Sequence, residues 1–309
     1  MGISRFRFCL LLALTTAALV TVHADEELQL KKVNSAQNEW KNIYYYRDAA
    51  LTAKLNRILG NQPGWQRLIN QRRIAVALVD LNGDSPRFAS VNGNVMMYAA
   101  SLPKIAILLA AYQAFEDGSL EETPDIHQNL VDMIRISSNE AATRVMNQVG
   151  VEKIEAVLRD PRYGLYDESR GGGLWVGKRY AAEGPRRGDP LFNLSHGATA
   201  NQVARFYYLL ATGRLVSPER SQQMLEDLSD PGLSHKFVAA LRLRAPAARL
   251  YRKSGTWKDW HSDSVLVRGR HWRNYILVAL VQSSNGEKIV NTIVPLVESI
   301  IEPGFSATS

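Results

Sequence analysis

Apolar positions along the chain fall into two periods, and they divide it into helices and strands. "AALTAKLNRIL" (49–59) repeats apolar residues at helical spacing, so residues 25–72 are expected to be mainly helical, interrupted by "PGW" at 63–65. "IAVALVDLNG" (74–83) is a β-branched run ending in an Asn-Gly turn signal, and "RFASVNGN" (87–94) supplies a partner strand for a hairpin. A long apolar helix follows from "AASLPKIAILLA" to about Phe115, where "EDGS" stops it. Within 123–150, two further helices flank "SSN" and end at Gly150, and a short helix covers about 151–159. Thr199 and the Ser217-Pro218 pair mark two more helix starts. "YRKSGTW", "DSVLVRG" and "NYILVALVQ" then read as three strands of an antiparallel meander, and "EKIVNTIVPLVESII" closes the chain as a helix.

Residues 161–199 fit neither period. They are rich in glycine, charge and aromatic residues. A connection this long is uncommon in a compact domain unless it is functional or disordered, and Trp175, Tyr180 and Phe192 argue against disorder. The order of elements predicts an α/β protein of the α+β type: one antiparallel sheet from both chain ends, near 74–95 and 250–283, flanked by helices. An all-helical lobe is inserted at about 100–230. The expected organisation is a leader (1–24), an N-terminal helical segment (25–72) and a catalytic domain (73–309).

The leader is expected from Arg5 and Arg7, the apolar run 8–22 and the small residues around position 24, before a strongly polar stretch. It implies export, most simply to a periplasm, with no stable membrane insertion once it is removed. Cys9 is the only cysteine of the chain and lies in that leader, so thiol catalysis, disulfides and cysteine metal sites are excluded from the remainder. The formal charge is +7, and losing Arg5 and Arg7 with the leader leaves +5. This mild basicity is spread along the chain without an aromatic-interleaved basic cluster, which argues against nucleic acid as a partner. The six histidines are scattered without an H-E-x-x-H. There is no G-x-S-x-G elbow and no phosphate-cradling glycine loop. No metal and no cofactor is therefore expected.

The chemistry begins inside the apolar helix. Ser101 and Lys104 stand three apart, on one face of a helix whose first turn Pro103 marks. Free N–H groups at a helix start favour a nucleophile losing its proton. A lysine accepts that proton only when neutral, and burial beside Ile105 and Leu108 would lower its pKa. S-x-x-K alone arises by chance about once in a chain of this length. Two further elements accompany it: Ser137-Ser138-Asn139 between helices, and Lys253-Ser254-Gly255 at a strand start. Each has a bland reading, since Ser137 and Asn139 can cap helices and Lys253 can be a solvated strand-end residue. Ser283-Ser284-Asn285 repeats the S-x-N pattern in an expected turn before the last helix.

The three motifs in this order are the signature of penicillin-recognising serine enzymes. The chain resembles the class A β-lactamase and DD-peptidase superfamily over nearly all of its length beyond the expected leader. The resemblance implies acylation at Ser101 with Lys104 as proton acceptor or relay. Ser137 would pass a proton to the leaving nitrogen, and Asn139 would orient Lys104 and the substrate amide. Lys253 and the Ser254 hydroxyl would meet the substrate carboxylate, Gly255 would permit close approach of the substrate, and the N–H groups of Ser101 and Thr256 would form the oxyanion hole. The implied activity is β-lactam hydrolysis. The alternatives are a slowly deacylating DD-peptidase or esterase acting on cell-wall peptides, and a protein that captures β-lactams or peptidoglycan without turnover. The partner is thus a small-molecule β-lactam or a peptidoglycan peptide, and the oligomeric state is open.

Two departures from the class A pattern stand out. Those enzymes carry a deacylating glutamate in arginine-x-glutamate-proline-x-x-asparagine, whereas this chain has "RGDPLFN", with Asp189 in its place between Arg187 and Asn193. An aspartate is one methylene shorter, and a displacement of about 1 Å can cost about a hundredfold in rate. Asp189 is the first candidate base and Glu168 the second; the alternative for both is a paired or solvated loop residue. Ser137 also follows Ser101 by only 36 positions (137 less 101), so the lobe is trimmed. The segment 171–180 either fills that gap, with Trp175 lining a pocket, or packs on the lobe.

Overall fold

The computed structural model describes residues 40–303. The expected leader lies outside them. Along the chain follow α1 (Ala49–Gly60), α2 (Trp65–Asn70), β1 (Ile74–Asp80), β2 (Arg87–Val91), β3 (Met97–Tyr98) and α3 (Lys104–Glu116). Then come α4 (Pro124–Arg135), α5 (Asn139–Val149), α6 (Val151–Arg159), β4 (Tyr166–Asp167), β5 (Gly172–Gly173), β6 (Trp175–Val176) and β7 (His196–Ala198). The chain continues as α7 (Ala200–Ala211), α8 (Pro218–Leu228), α9 (Lys236–Arg244), β8 (Arg249–Trp257), β9 (Trp260–Arg268), β10 (Asn274–Gln282) and α10 (Gly286–Ile301).

Five strands form one fully antiparallel sheet in the order β2-β1-β10-β9-β8. Strands from both ends of the chain meet where β1 pairs with β10, Ile74 facing Val281 and Leu78 facing Leu277. Every residue of β1 is buried, which explains why its sequence is a continuous apolar run rather than an alternation. One face, with Ile74, Val76, Leu78, Leu277, Ala279 and Val281, shares a core with α1, α2, α9 and α10. The other face meets α7, all twelve residues of which are buried. The sheet is therefore a filling between two helical layers.

Two expectations change. The boundary at 72–73 is not a structural one, because Leu51, Leu55, Leu59, Trp65 and Ile69 sit in the same core as the sheet. Fully burying each such side chain stabilises by about 1.5–3 kcal/mol, so α1 and α2 are integral to the sheet's packing. Helix α9 is an addition that the sequence pattern does not announce. It begins at Lys236 in a left-handed conformation (φ 53°), after His235, which makes no capping hydrogen bond.

The lobe is built on α3, from Lys104 to Phe115 buried on nearly every side, with α4, α5, α6 and α8 around it. Caps occur where their chemistry predicts: Thr123, Thr199 and Ser217 accept from Ile126, Gln202 and Arg220 backbone N–H groups. The irregular region 161–199 is ordered by three small strand pairings. Its last strand, β7, pairs with β3, and the Ala99 N–H donates to the His196 carbonyl (2.9 Å). The region is thereby tied to the residues just ahead of Ser101.

Candidate active site

Ser101 lies in a turn that leads into α3. The Lys104 N–H donates to the Ser101 carbonyl (3.2 Å) and the Ile105 N–H to Leu102 (3.3 Å), a 3₁₀-type spacing in which side chains three apart eclipse. Ser101 and Lys104 therefore share one edge. Ala100, immediately before, holds φ at 51°, a left-handed conformation that a residue with a Cβ adopts only under constraint. The constraint is visible in the flanking bonds: Ala99 is fixed to β7, and its carbonyl accepts from Ser262 Oγ (2.8 Å) on β9.

Lys104 is completely buried. Its Nζ donates to the carbonyls of Ser137 (2.7 Å) and Ser138 (3.1 Å) and to Asn139 Oδ1 (2.8 Å), and lies 4.5 Å from the Tyr180 ring centroid. Burial lowers its pKa to about 7, against a smaller opposing pull from Glu140. A lysine at that value exchanges protons near neutrality, as a base for the Ser101 hydroxyl must.

The S-x-N motif divides its work in a way that the sequence leaves open. Ser138 caps α5 by accepting from the Ala141 N–H (3.1 Å), which frees its neighbours. Ser137, in a left-handed conformation (φ 63°), presents its carbonyl to Lys104 and its hydroxyl to Lys253 Nζ (2.9 Å). One residue thus bridges two lysines. Lys253 is 1% exposed, not the solvated strand-end residue of the bland reading, and also donates to the Ser254 carbonyl (2.8 Å). Its pKa is held well below the ordinary range by burial first, then by Lys104 and Arg252. Arg252 forms a buried two-pronged ion pair with Asp263 (2.7 and 3.0 Å). Behind the same strand, Lys236 donates to the Gly255 carbonyl (2.7 Å), Thr256 Oγ1 (2.7 Å) and the Ser262 carbonyl (3.2 Å). Burial lowers its pKa to about 8.

Strand β8 is an edge strand, so alternate residues turn their backbone groups to the open side. The Ser254 carbonyl accepts a lysine there, which puts Thr256, two residues on, in the same phase. Ser254 itself is buried (3% exposed) on this strand. The Ser101 N–H lies beside it and donates to no acceptor among the described residues. A Cβ on Gly255 would stand 2.2 Å from the Ala99 carbonyl oxygen and 2.7 Å from Ser101 N. The glycine is thus required by the protein's own backbone, where the sequence pointed to the substrate's.

Asp189 is buried and committed. Oδ1 accepts from Tyr166 Oη (3.2 Å) and from the Leu191 and Phe192 N–H groups (3.0 Å each), and Oδ2 accepts from the Leu194 N–H (2.6 Å). The carboxylate closes the 189–194 turn and has little capacity left for a water. Glu168 is on an exposed 3₁₀ turn, ion-paired with Arg159 (3.2 Å). Neither carboxylate makes a hydrogen bond to the Lys104, Ser137 and Lys253 group. Trp175 is buried within the loop, packed at a tilt against Tyr166 (5.0 Å between centroids) and donating to the Arg187 carbonyl (3.0 Å), so 171–176 packs inward. Gly177 has the same origin, since a Cβ there would meet the Arg187 carbonyl at 1.6 Å. Tyr180, at the end of that segment, is the part that reaches the site.

The family model for the β-lactamase enzyme family matches residues 51–127 and 121–301. The chain belongs to that family. Among solved structures it is similar to a β-lactamase from Sphaerobacter thermophilus (16% identity, TM-score 0.63, covering 84% of this chain and 99% of that one). It is also similar to PBP-A (17%, 0.60, 81% and 95%) and to the TLA-3 extended-spectrum β-lactamase (12%, 0.61, 80% and 97%). A search of curated proteins gives no match. At these identities the structural likeness speaks for the fold, and with the family match it makes this a β-lactamase-like serine hydrolase.

Within this family member, Tyr180, His196, Lys236 and the Arg252–Asp263 pair are site neighbours that motif reading passed over. His196 backs the Tyr180 ring (4.4 Å), and burial lowers its pKa to about 4. Neutral at physiological pH, it accepts at Nδ1 from Ser195 Oγ (3.1 Å) and donates from Nε2 to the Lys178 carbonyl (3.0 Å). A histidine two short strands away from any motif carries no sequence signal. The Arg252-Lys253 pair does carry one: adjacent cations in a strand point to opposite faces, so one of them needs a buried counter-ion.

Proposed function

We propose that this chain is an exported serine hydrolase that opens β-lactam-type amides by acylation of Ser101 and turns the acyl-enzyme over slowly. The observation that carries the proposal is the Lys104–Ser137–Lys253 bridge, two buried lysines with depressed pKa values held on one serine. Ser101 Oγ attacks the amide carbonyl as its proton passes to neutral Lys104. The N–H groups of Ser101 and Thr256 hold the developing oxyanion. Ser137 Oγ accepts from Lys253 and so keeps its own proton to give to the leaving nitrogen; the flanking lysines then restore it. Lys253 is placed to donate to a substrate carboxylate, whose charge would favour the protonated lysine. The leader with Arg5 and Arg7 supports export to a compartment where cell-wall peptides and β-lactams occur.

Slow turnover, with D-alanyl cell-wall peptides as the physiological substrate class, is favoured over fast β-lactamase action by Asp189, whose oxygens are taken by four donors. The structural relative PBP-A has been described as an acyl-enzyme complex with penicillin G in a variant form. Incubation with benzylpenicillin followed by intact-mass spectrometry should give one adduct, mapped to Ser101 and missing from Ser101→Ala. An adduct that persists in Ser101→Ala refutes the assignment. Rapid multiple turnover of a chromogenic cephalosporin would favour a true β-lactamase.

A further inference from the structure

We propose that the Tyr180 ring shields the acyl-enzyme from water, and that this shield sets its lifetime. The inference rests on acylation at Ser101 and adds what governs the second half of the reaction. Tyr180 Oη donates to the Ala100 carbonyl (3.1 Å), the peptide immediately before Ser101. The same ring lies over Lys104 Nζ, three residues after Ser101. The tyrosine thus touches the chain on both sides of the nucleophile, the carbonyl of the residue before it and the amine of Lys104 after it. It is held there from behind: His196 packs against it at a tilt, and the imidazole fixes the Lys178 carbonyl two residues before the tyrosine.

Deacylation requires water to add its oxygen to the acyl carbonyl carbon. The Ser101 Oγ–carbon bond breaks, one water proton ends on Ser101 Oγ, and the acid product leaves with the other. A base must receive a proton meanwhile. Asp189 is occupied, and Glu168 is paired with Arg159 at the surface. That leaves Lys104 as the group placed to act, and the ring covers it. The groups facing Lys104 are Tyr180, His196 and Lys253, with Glu140 on the solvent side.

The test is a chase experiment. The wild type, Tyr180→Phe, Tyr180→Leu and Tyr180→Ala are loaded with benzylpenicillin, freed of excess reagent and followed by intact mass, with thermal melting as a folding control. Tyr180→Ala should lose its adduct roughly tenfold faster or more, the lifetime being read from fully acylated protein so that any change in the acylation step does not enter. Tyr180→Phe keeps the ring and should match the wild type within about twofold. Tyr180→Leu, the more conservative filler should the alanine variant fold poorly, should fall between. Adduct loss in Tyr180→Ala should also rise with pH as Lys104 loses its proton, with a midpoint above about 7 because removing the ring lessens the burial that lowers the lysine's pKa. Equal lifetimes for the alanine variant and the wild type would overturn the proposal, as would a phenylalanine variant behaving like alanine. Absence of any Ser101 adduct on the wild type would remove the acylation reading as well.

Discussion

The two halves of the site are built on opposite terms. The acylation half takes one residue or two from each of α3, the start of α5 and β8, and joins them through two buried lysines, Lys104 with three hydrogen bonds and Lys253 with two. The loop half, 161–199, contains three carboxylates near the position where a deacylating base would be sought (Asp167, Glu168 and Asp189), yet all three serve the loop: Asp167 caps a 3₁₀ turn, Glu168 pairs with Arg159, and Asp189 closes 189–194. The lysines assigned to proton transfer are kept under tension between burial and charge. Groups that shape a loop are satisfied. The contrast separates a side that can react from a side that can only hold.

The sharpest way to break the acylating half is at Gly255. A methyl group there meets backbone atoms of Ala99 and Ser101 that no rotamer change can move. Gly255→Ala should displace the Ser101 turn from the edge of β8 by a fraction of an ångström to an ångström. A shift that reaches about 1 Å can cost about a hundredfold in rate. Stopped-flow acylation by a chromogenic cephalosporin should register it while circular dichroism stays native. An unchanged acylation rate would mean that Ser101 and Thr256 are not the paired oxyanion donors.

On the loop side, Asp189→Asn exchanges one acceptor for a donor facing the Leu194 or the Leu191 and Phe192 N–H groups. An unsatisfied buried group costs about 1–3 kcal/mol. In a domain of this size that lowers Tm by roughly 2–4 °C per kcal/mol. Adduct lifetime should change far less than a missing general base would demand. If calorimetry finds Tm unmoved while the adduct becomes a hundredfold longer-lived, Asp189 is the base after all and the division between the two halves fails.

Much of the acylating half was legible because its motifs sit in local structures that sequence announces: Pro103 before a helix, SSN between helices, KSG in a meander. The sheet was legible for a related reason. Strands such as "IAVALVD" and "NYILVALVQ" are apolar throughout because both faces are covered. The loop was not, since its glycines answer to tertiary contacts. Gly173 and Gly177 stand where a Cβ would strike the Leu165 and Arg187 carbonyls, partners 8 and 10 positions away in sequence (173 less 165, 187 less 177). Spacing alone cannot distinguish such a glycine from a flexible one, nor place Tyr180 over Lys104. The same limit hid α9, whose start is fixed by Asn291 accepting no part in any motif: its Nδ2 donates to the Lys236 carbonyl across 55 positions.

The finest test of the acylating half concerns how Lys104 is tuned. Burial drives its pKa down to about 7, and Glu140 is the charge that pulls in the other direction. Only the neutral amine accepts the Ser101 proton, so acylation should rise with pH through about 7 and level off above it. Removing the carboxylate in Glu140→Gln takes away the raising influence, so the midpoint should move to lower pH. Glu140 is exposed and reaches Lys104 through solvent, so the shift should be a small fraction of a unit and should shrink as salt is raised. A pH profile of adduct formation at low and high ionic strength measures it. A midpoint that moves upward, or a profile without a limb near 7, would mean that Lys104 keeps its proton and that the two-lysine bridge is a binding device for anions rather than the base of the reaction.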